Sequence, residues 1–174
     1  DCSTDNSVEL INEFIKNNKH LNIHFEQNES NKGPLFTTIK LYEKITQQYW
    51  TLLDGDDYWL PEFLNSGMSL LINDKKLDSY STNTKLLENG ILKSYWKCEK
   101  KGIYTNNPPV FTHTSSIIFS NKYFINGVPK IFYDAYESGN KYISQSWEGD
   151  TARNFIYLYN GTNYFDLTKF GGVY

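Results

Sequence analysis

The sequence is poor in cysteine and has no run of basic residues. Its 174 residues include two cysteines, Cys2 and Cys98, which lie far apart and show neither a metal-ligand spacing nor a disulfide pattern. Such sparse cysteine usage fits a protein of a reducing cytosol. The net charge is −3, and the short charged stretch at residues 97–101 offers no track for phosphates. The composition therefore argues against nucleic acid as a partner.

Several patterns that mark other protein classes are also missing. No apolar run is long enough to cross a membrane. No Ser-His-Asp order or Cys-His pair points to nucleophilic catalysis, and no glycine loop of the Rossmann or Walker type is present. Aromatic residues, in contrast, are abundant, with 14 Tyr, 11 Phe and 4 Trp. Such rings suit stacking on sugars, although most of them are expected in the core and at its rim.

The most informative feature is an apolar run, residues 49–53, which ends in three carboxylates around a glycine: Asp54, Gly55, Asp56 and Asp57. The run predicts a buried strand. Because strand side chains alternate between faces, Asp54 and Asp56 are expected to point the same way and Asp57 away. Two neighbouring carboxylates repel each other unless a cation lies between them, and oxygen ligands suit Mg²⁺ or Mn²⁺, which usually also hold phosphates. An Asp-Gly turn with solvated acids is the alternative.

Helices and strands alternate along the chain, which predicts one domain with a mostly parallel sheet covered by helices. Hydrophobic spacing and helix-start residues give the boundaries, except over residues 75–107, where the pattern is hard to read. We predict a helix that ends near Asn17, helices from Pro34 and Pro61, and a helix over 151–159; strands over 21–25, up to Leu53, over 115–119 and over 164–167; and an irregular connection over 133–147.

With its flanks, the acidic motif resembles the nucleotide-sugar glycosyltransferases of family 2, which have the GT-A fold. Members often carry Leu-Asp-Gly-Asp-Asp-Tyr-Trp at a strand end, the sequence found here at residues 53–59. An upstream Asp-x-Ser-x-Asp stretch is matched by residues 1–5, and an acidic pair that opens a late helix is matched by residues 148–150. The order and spacing of these motifs agree, so the resemblance covers nearly the whole chain.

The resemblance implies an α/β protein with the GT-A fold, a Rossmann-like three-layer α/β/α sandwich around a mostly parallel central sheet. Residues 1–174 are expected to form a single glycosyltransferase domain that lacks the family's first strand and helix and its C-terminal segment. In the family, that strand helps to bind the nucleotide, and the C-terminal segment often supplies a histidine near the metal.

The resemblance also assigns roles to individual residues. Asp56 is expected to hold the metal with the help of Asp54, which also contacts the substrate. Asp1 is expected to accept a hydrogen bond from the nucleotide base, usually uracil. Asp150 is expected to be the catalytic base, and Glu148, a further substrate contact, is its rival for that role.

Structural alternatives to these roles stay open at the level of sequence. Asp1 could be a turn or capping aspartate, and Asp150 could be a plain helix N-cap. His113 precedes the β-prone run at 115–119, where it could contact the acceptor or the donor sugar, or serve the structure alone. Arg153 could steer a phosphate or pair with an acid.

The expected reaction transfers a sugar from a nucleotide-diphosphate sugar to a hydroxyl of a glycan or lipid-linked acceptor, with inversion. The expected donor is a UDP-sugar. Mn²⁺ or Mg²⁺ is the expected cofactor. The resemblance associates this reaction with bacterial surface polysaccharide or cell-wall glycan synthesis in the cytoplasm, with the full-length protein peripheral to the inner face of the cell membrane. Two other classes stay open: a non-catalytic carbohydrate-binding module and a metal-dependent phosphohydrolase that uses the aspartate cluster.

Overall fold

A seven-stranded mixed sheet with helices on both faces forms the protein in the computed structural model, which describes residues 1–137 and 152–174. The strands are β1 (Tyr49–Thr51), β2 (Tyr58–Trp59), β3 (Ser79–Glu88), β4 (Ile91–Ser94), β5 (Lys101–Thr105), β6 (Ile117–Ser120) and β7 (Thr162–Val173). The helices are α1 (Ser7–Asn17), α2 (Pro34–Tyr42), α3 (Glu62–Asn73) and α4 (Lys130–Glu137). Short 3₁₀ turns at Thr114–Ser116 and Asn121–Tyr123 flank β6, and a helix over 152–160 contains a π-helical turn at Phe155–Tyr159.

The strands lie in the order β1-β6-β3-β7-β2, with β4 beside β3 and β5 beside β7. Among the strand pairs of the described residues, β3–β7 is parallel and the others are antiparallel. The predicted α/β class is confirmed, but the prediction of a mostly parallel sheet is wrong. One tight turn explains part of the difference. Asn89 and Gly90 adopt φ of 52° and 77°, the conformation that joins two antiparallel strands, here β3 and β4.

The short strand β6 contributes to a hydrophobic core on each face of the sheet. Ile117 and Phe119 pack on one face of the sheet with residues of α2 and α4 and with Tyr157. Ile118 packs on the opposite face with Tyr80 and with residues of α3. This alternation is the two-residue period of a strand, and it explains why an uninterrupted apolar run forms here. Helices therefore cover both faces of the sheet, as predicted.

Some predicted elements are confirmed and others are wrong. Helices α1, α2 and α3 lie where the hydrophobic spacing and the two prolines placed them. Residues 21–25 are not in a strand, because alternating apolar side chains need a neighbouring strand to pair their backbone groups and the described sheet provides none there. Residues 133–137, predicted irregular, belong to α4. No helix in the described ranges combines the length and apolar character needed to span a bilayer.

The last strand is longer than its sequence pattern predicts. β7 extends over 12 residues and passes through Gly171 and Gly172. A Cβ on Gly171 would lie 2.3 Å from Thr82 Oγ1 and 2.5 Å from Phe63 Cδ2. Because Gly171 has no side chain, β7 can continue through this position and pack closely against β3 and α3.

Gly67→Ala is expected to destabilise the protein by about 1–3 kcal/mol, because Gly67 of α3 lies directly against the sheet. A Cβ at this position would lie 2.5 Å from both Ile118 Cδ1 and Tyr80 Cδ1. Urea unfolding measures the effect. Gly55→Ala is the matched control, since a Cβ on Gly55 meets nothing within 4 Å. Equal losses of stability in the two variants would contradict the packing argument.

Candidate functional site

The acidic motif forms a turn that connects β1 to β2. The strand predicted up to Leu53 ends at Thr51, and the backbone N–H of Asp57 donates to Asp54 O at 3.1 Å. The chain therefore reverses between these two aspartates, and strand alternation does not apply to them. The prediction that Asp57 points away from Asp54 is wrong for this reason, and the shared face of Asp54 and Asp56 stays a prediction.

A loop from a distant part of the chain is hydrogen-bonded to this turn. The backbone N–H of Asp54 donates to Ser115 Oγ at 3.2 Å, and Trp59 Nε1 donates to Ser115 O at 2.9 Å. Ser115 belongs to the 3₁₀ turn that precedes β6, and His113 is the N-cap of that turn. These contacts place the imidazole of His113 beside the acidic turn.

Asp54, Asp57 and His113 together form the candidate metal centre, which we call the acidic group. One ligand atom from each residue lies within 4.8 Å of the other two, and His113 Nδ1 is 3.5 Å from Asp57 Oδ2. Two carboxylates and an imidazole are ligands that a divalent cation can accept. The carboxylates suit Mg²⁺ and Mn²⁺ alike, whereas the imidazole nitrogen favours Mn²⁺ over the strictly oxygen-seeking Mg²⁺.

The burial of Asp57 is the strongest indication of a cation. Its side chain is 1% exposed, and neither carboxylate oxygen accepts a hydrogen bond within the described residues. His113 Nδ1 accepts from the backbone N–H of Ser115 at 3.4 Å and lies 3.5 Å from Asp57 Oδ2, so it faces the carboxylate without a hydrogen bond to it. A buried carboxylate that accepts no hydrogen bond is costly, and a cation shared with His113 and Asp54 would remove that cost.

Asp56 and Asp1 are not members of the acidic group. Asp56 is exposed at the tip of the turn, and its role as a metal ligand stays a prediction. The carboxylate of Asp1 accepts hydrogen bonds from Asn28 Nδ2 (2.8 Å) and from the backbone N–H groups of Lys32 (3.0 Å) and Gly33 (2.7 Å). Asp1 thus holds the loop that precedes α2, and its predicted contact with a nucleotide base is untested. Residues 148–150, with Glu148 and Asp150, lie outside the described residues.

Arg153 has a position that sequence reasoning missed. It is fully buried, and its guanidinium donates to Tyr42 Oη at 2.7 Å and to Thr114 Oγ1 at 2.6 Å, with the ring of Phe119 5.5 Å away. These contacts connect the helix over 152–160 to the loop that carries His113. Burial makes a phosphate contact in solvent impossible for Arg153. No local sequence pattern signals the contacts, because their partners lie 111 and 39 residues away along the chain.

Known proteins are similar to this chain in sequence or in fold. Residues 1–126 match the family Glycosyl transferase family 2. The uncharacterized glycosyltransferase MG025 of Mycoplasma genitalium is 26% identical over 146 residues, which are 83% of this chain and 46% of that protein. This chain therefore spans about half the length of that curated relative.

Two solved structures of S. aureus TarS are similar to the whole chain. The crystal structure of TarS 1–349 superposes with a TM-score of 0.67 at 19% identity, over 99% of this chain and 48% of that one. A second TarS crystal structure gives a TM-score of 0.68 at 20% identity, over 99% of this chain and 29% of that one. The predicted GT-A fold is confirmed by this similarity.

Proposed function

The chain belongs to glycosyl transferase family 2, and from this membership we propose that it transfers a sugar from a UDP-sugar to a hydroxyl of a glycan or lipid-linked acceptor with inversion. The observation that carries the proposal is the acidic group, in which a buried carboxylate, an exposed carboxylate and an imidazole meet beside the end of β1. Ligands of open α/β sheets bind at such strand ends.

The acidic group would hold Mn²⁺ or Mg²⁺ through Asp54, Asp57 and His113, with Asp56 as a further predicted ligand. When bound, the cation would neutralise the negative charge of the donor's two phosphates, which increases as the diphosphate leaves. Asp54 is exposed at the surface of the turn, where a donor can approach. The hydrogen bonds from Asp54 and Trp59 to Ser115 hold the turn and the His113 loop in one arrangement.

The chain's own acids would carry the proton transfer and the recognition of the base. Asp150 takes the proton of the acceptor hydroxyl on a carboxylate oxygen, and Glu148 is the alternative base. The hydroxyl oxygen then attacks the anomeric carbon on the face opposite the leaving diphosphate, which inverts the configuration. Asp1 accepts from a base N–H. Its carboxylate already holds the Lys32 and Gly33 amides, so the loop before α2 and the base would be ordered together.

A panel of nucleotide sugars tests this proposal directly. We expect UDP-sugars to bind the protein in the presence of Mn²⁺ and to lose this binding in EDTA, as measured by calorimetry. We expect no release of inorganic phosphate from nucleotides without an acceptor. Phosphate release would instead indicate the phosphohydrolase, and glycan binding without any cation-dependent nucleotide binding would indicate a carbohydrate-binding module.

The place of this reaction in the cell is part of the same proposal. A nucleotide-sugar donor and a glycan or lipid-linked acceptor fit the synthesis of bacterial surface polysaccharide or cell-wall glycan. We propose the cytoplasm as the location, with the inner face of the cell membrane as the place where a lipid-linked acceptor is met.

A further inference from the structure

Two exposed tyrosines lie beside the acidic group and have no part in the reaction described above. Tyr95 and Tyr174, which we call the tyrosine pair, are 42% and 49% exposed. The ring of Tyr174 lies against the imidazole of His113, with ring centroids 4.6 Å apart, and Tyr95 lies at the edge of the same imidazole at 6.3 Å. Since His113 belongs to the acidic group and its Nδ1 is 3.5 Å from Asp57 Oδ2, the tyrosine pair lies directly beside the candidate metal centre.

The backbone of β3 holds both tyrosines in place. The backbone N–H of Tyr95 donates to Thr84 O, and that of Tyr174 donates to Lys85 O, each at 2.8 Å. Tyr174 O in turn accepts from the backbone N–H of Leu87 at 2.8 Å. The two rings meet edge to face, with centroids 6.4 Å apart and planes at 86°. Because the backbone is held in this way, only the two side-chain torsions of each tyrosine are left to be ordered when a ligand binds.

The tyrosine pair has the chemistry of a sugar-binding surface. A tyrosine ring offers a flat apolar face and a polar hydroxyl, and a pyranose ring has the same two-sided character, with C–H bonds on its faces and hydroxyls on its rim. Single exposed aromatic residues are common on protein surfaces, whereas here two perpendicular rings, held on the two sides of β3, meet beside a group of acids.

We propose that the tyrosine pair is a subsite for one pyranose ring, stacked on the face of Tyr174 that is turned away from His113, with Tyr95 at its edge. This inference rests on the proposed function and deepens it, because it places a sugar next to the cation that holds the nucleotide phosphates. The ring can belong to the donor or to the acceptor. The shared chemistry is the pyranose, and the experiment separates the two sources.

The test compares Tyr174→Ala and Tyr95→Ala with wild type in two arms. In the first arm, calorimetry with Mg²⁺ measures the affinities for UDP, UDP-glucose and UDP-N-acetylglucosamine. In the second arm, saturation-transfer NMR with Mg²⁺ and UDP measures binding of methyl β-glucoside and methyl β-N-acetylglucosaminide. Tyr174→Phe keeps the ring and is expected to behave as wild type. Melting temperatures show whether each variant is folded.

A matched control removes an exposed apolar side chain far from the site. Ile125 is 71% exposed and lines a cavity with Tyr49 and Ser120, at the start of β1 and the end of β6. This is the opposite end of the sheet from the acidic group. Ile125→Ala is therefore expected to leave both arms unchanged.

If the tyrosine pair is an acceptor subsite, Tyr174→Ala should weaken binding of the methyl glycoside by about tenfold, while the affinity for UDP-sugars stays normal. A tenfold loss is what removal of one aromatic contact and its buried area is expected to cause. A donor subsite predicts that the advantage of a UDP-sugar over UDP disappears in Tyr174→Ala, with UDP itself unaffected. Wild-type behaviour of both alanine variants in both arms would overturn the inference. Failure of wild type to bind UDP with either Mg²⁺ or Mn²⁺ would overturn the proposed function instead, and the methyl glycoside arm would still decide on the tyrosine pair.

Discussion

Asp57→Asn is expected to stabilise the cation-free protein and at the same time to abolish its response to Mn²⁺. The carboxylate of Asp57 is buried, and its oxygens accept no hydrogen bond within the described residues. A neutral amide of the same shape avoids the cost of that buried charge, and we expect a gain of ~1 kcal/mol without cation. Loss of a ligand should weaken Mn²⁺ binding by about 100-fold or more, since even the loss of a residue that hydrogen-bonds to a ligand lowers metal affinity by about 10–100-fold.

Thermal unfolding with and without Mn²⁺ measures both effects. A cation at about 100 times its Kd stabilises wild type by ~2.7 kcal/mol, and this increment should disappear in Asp57→Asn. Asp56→Asn is the comparison variant, because Asp56 belongs to the same turn but is exposed and lies outside the acidic group, and we expect it to lose less of the Mn²⁺ response than Asp57→Asn. If Asp56→Asn loses the Mn²⁺ response and Asp57→Asn keeps it, the metal ligands are those that strand alternation predicted, and the geometric assignment is wrong.

Asp150→Asn is expected to lower the rate of sugar transfer by ~10²–10⁴-fold, the range of general-base catalysis by a placed carboxylate. An amide cannot take the proton of the acceptor hydroxyl at neutral pH. Asparagine caps a helix about as well as aspartate, so the melting temperature should hardly change. Binding of UDP with Mn²⁺ should also survive, because the proposed ligands of the cation lie elsewhere in the chain.

Transfer rate and melting temperature in three variants separate the possible roles of this segment. If Asp150 is only a helix cap, Asp150→Asn is silent in both measurements, while Asp150→Ala costs ~1 kcal/mol of stability. Glu148→Gln provides the matched control for the rival base. Near-normal transfer by Asp150→Asn together with a large loss in Glu148→Gln would move the catalytic role to Glu148.

Local features of the sequence were enough to predict the family motif and much of the helical structure. Pro34 and Pro61 lie at the starts of α2 and α3, and the apolar spacing of α1 ends where its helix ends. Such signals work because helices form from contacts three and four residues apart. The Asn-Gly turn between β3 and β4 was not predicted, although Asn89 and Gly90 adopt the backbone conformation that these residue types favour.

Which residues belong to the site, in contrast, was decided by the tertiary structure. The acidic turn and the His113 loop meet through Ser115, which lies 61 residues after Asp54 and 56 residues after Trp59. No periodicity extends over such distances, so the pairing of His113 with Asp57 has no local signal. The same holds for the tyrosine pair, whose two members reach one place because β4 and β7 flank β3.

The sequence by itself determined that three aspartates follow a strand in a glycosyltransferase-like motif, because residue types and short spacings are local properties. Which of those aspartates face one another was decided by the turn between β1 and β2, which brings Asp57 back toward Asp54. The direction of the strands was likewise a tertiary result, because strand pairing depends on which backbone groups find partners across the sheet rather than on the alternation of elements along the chain.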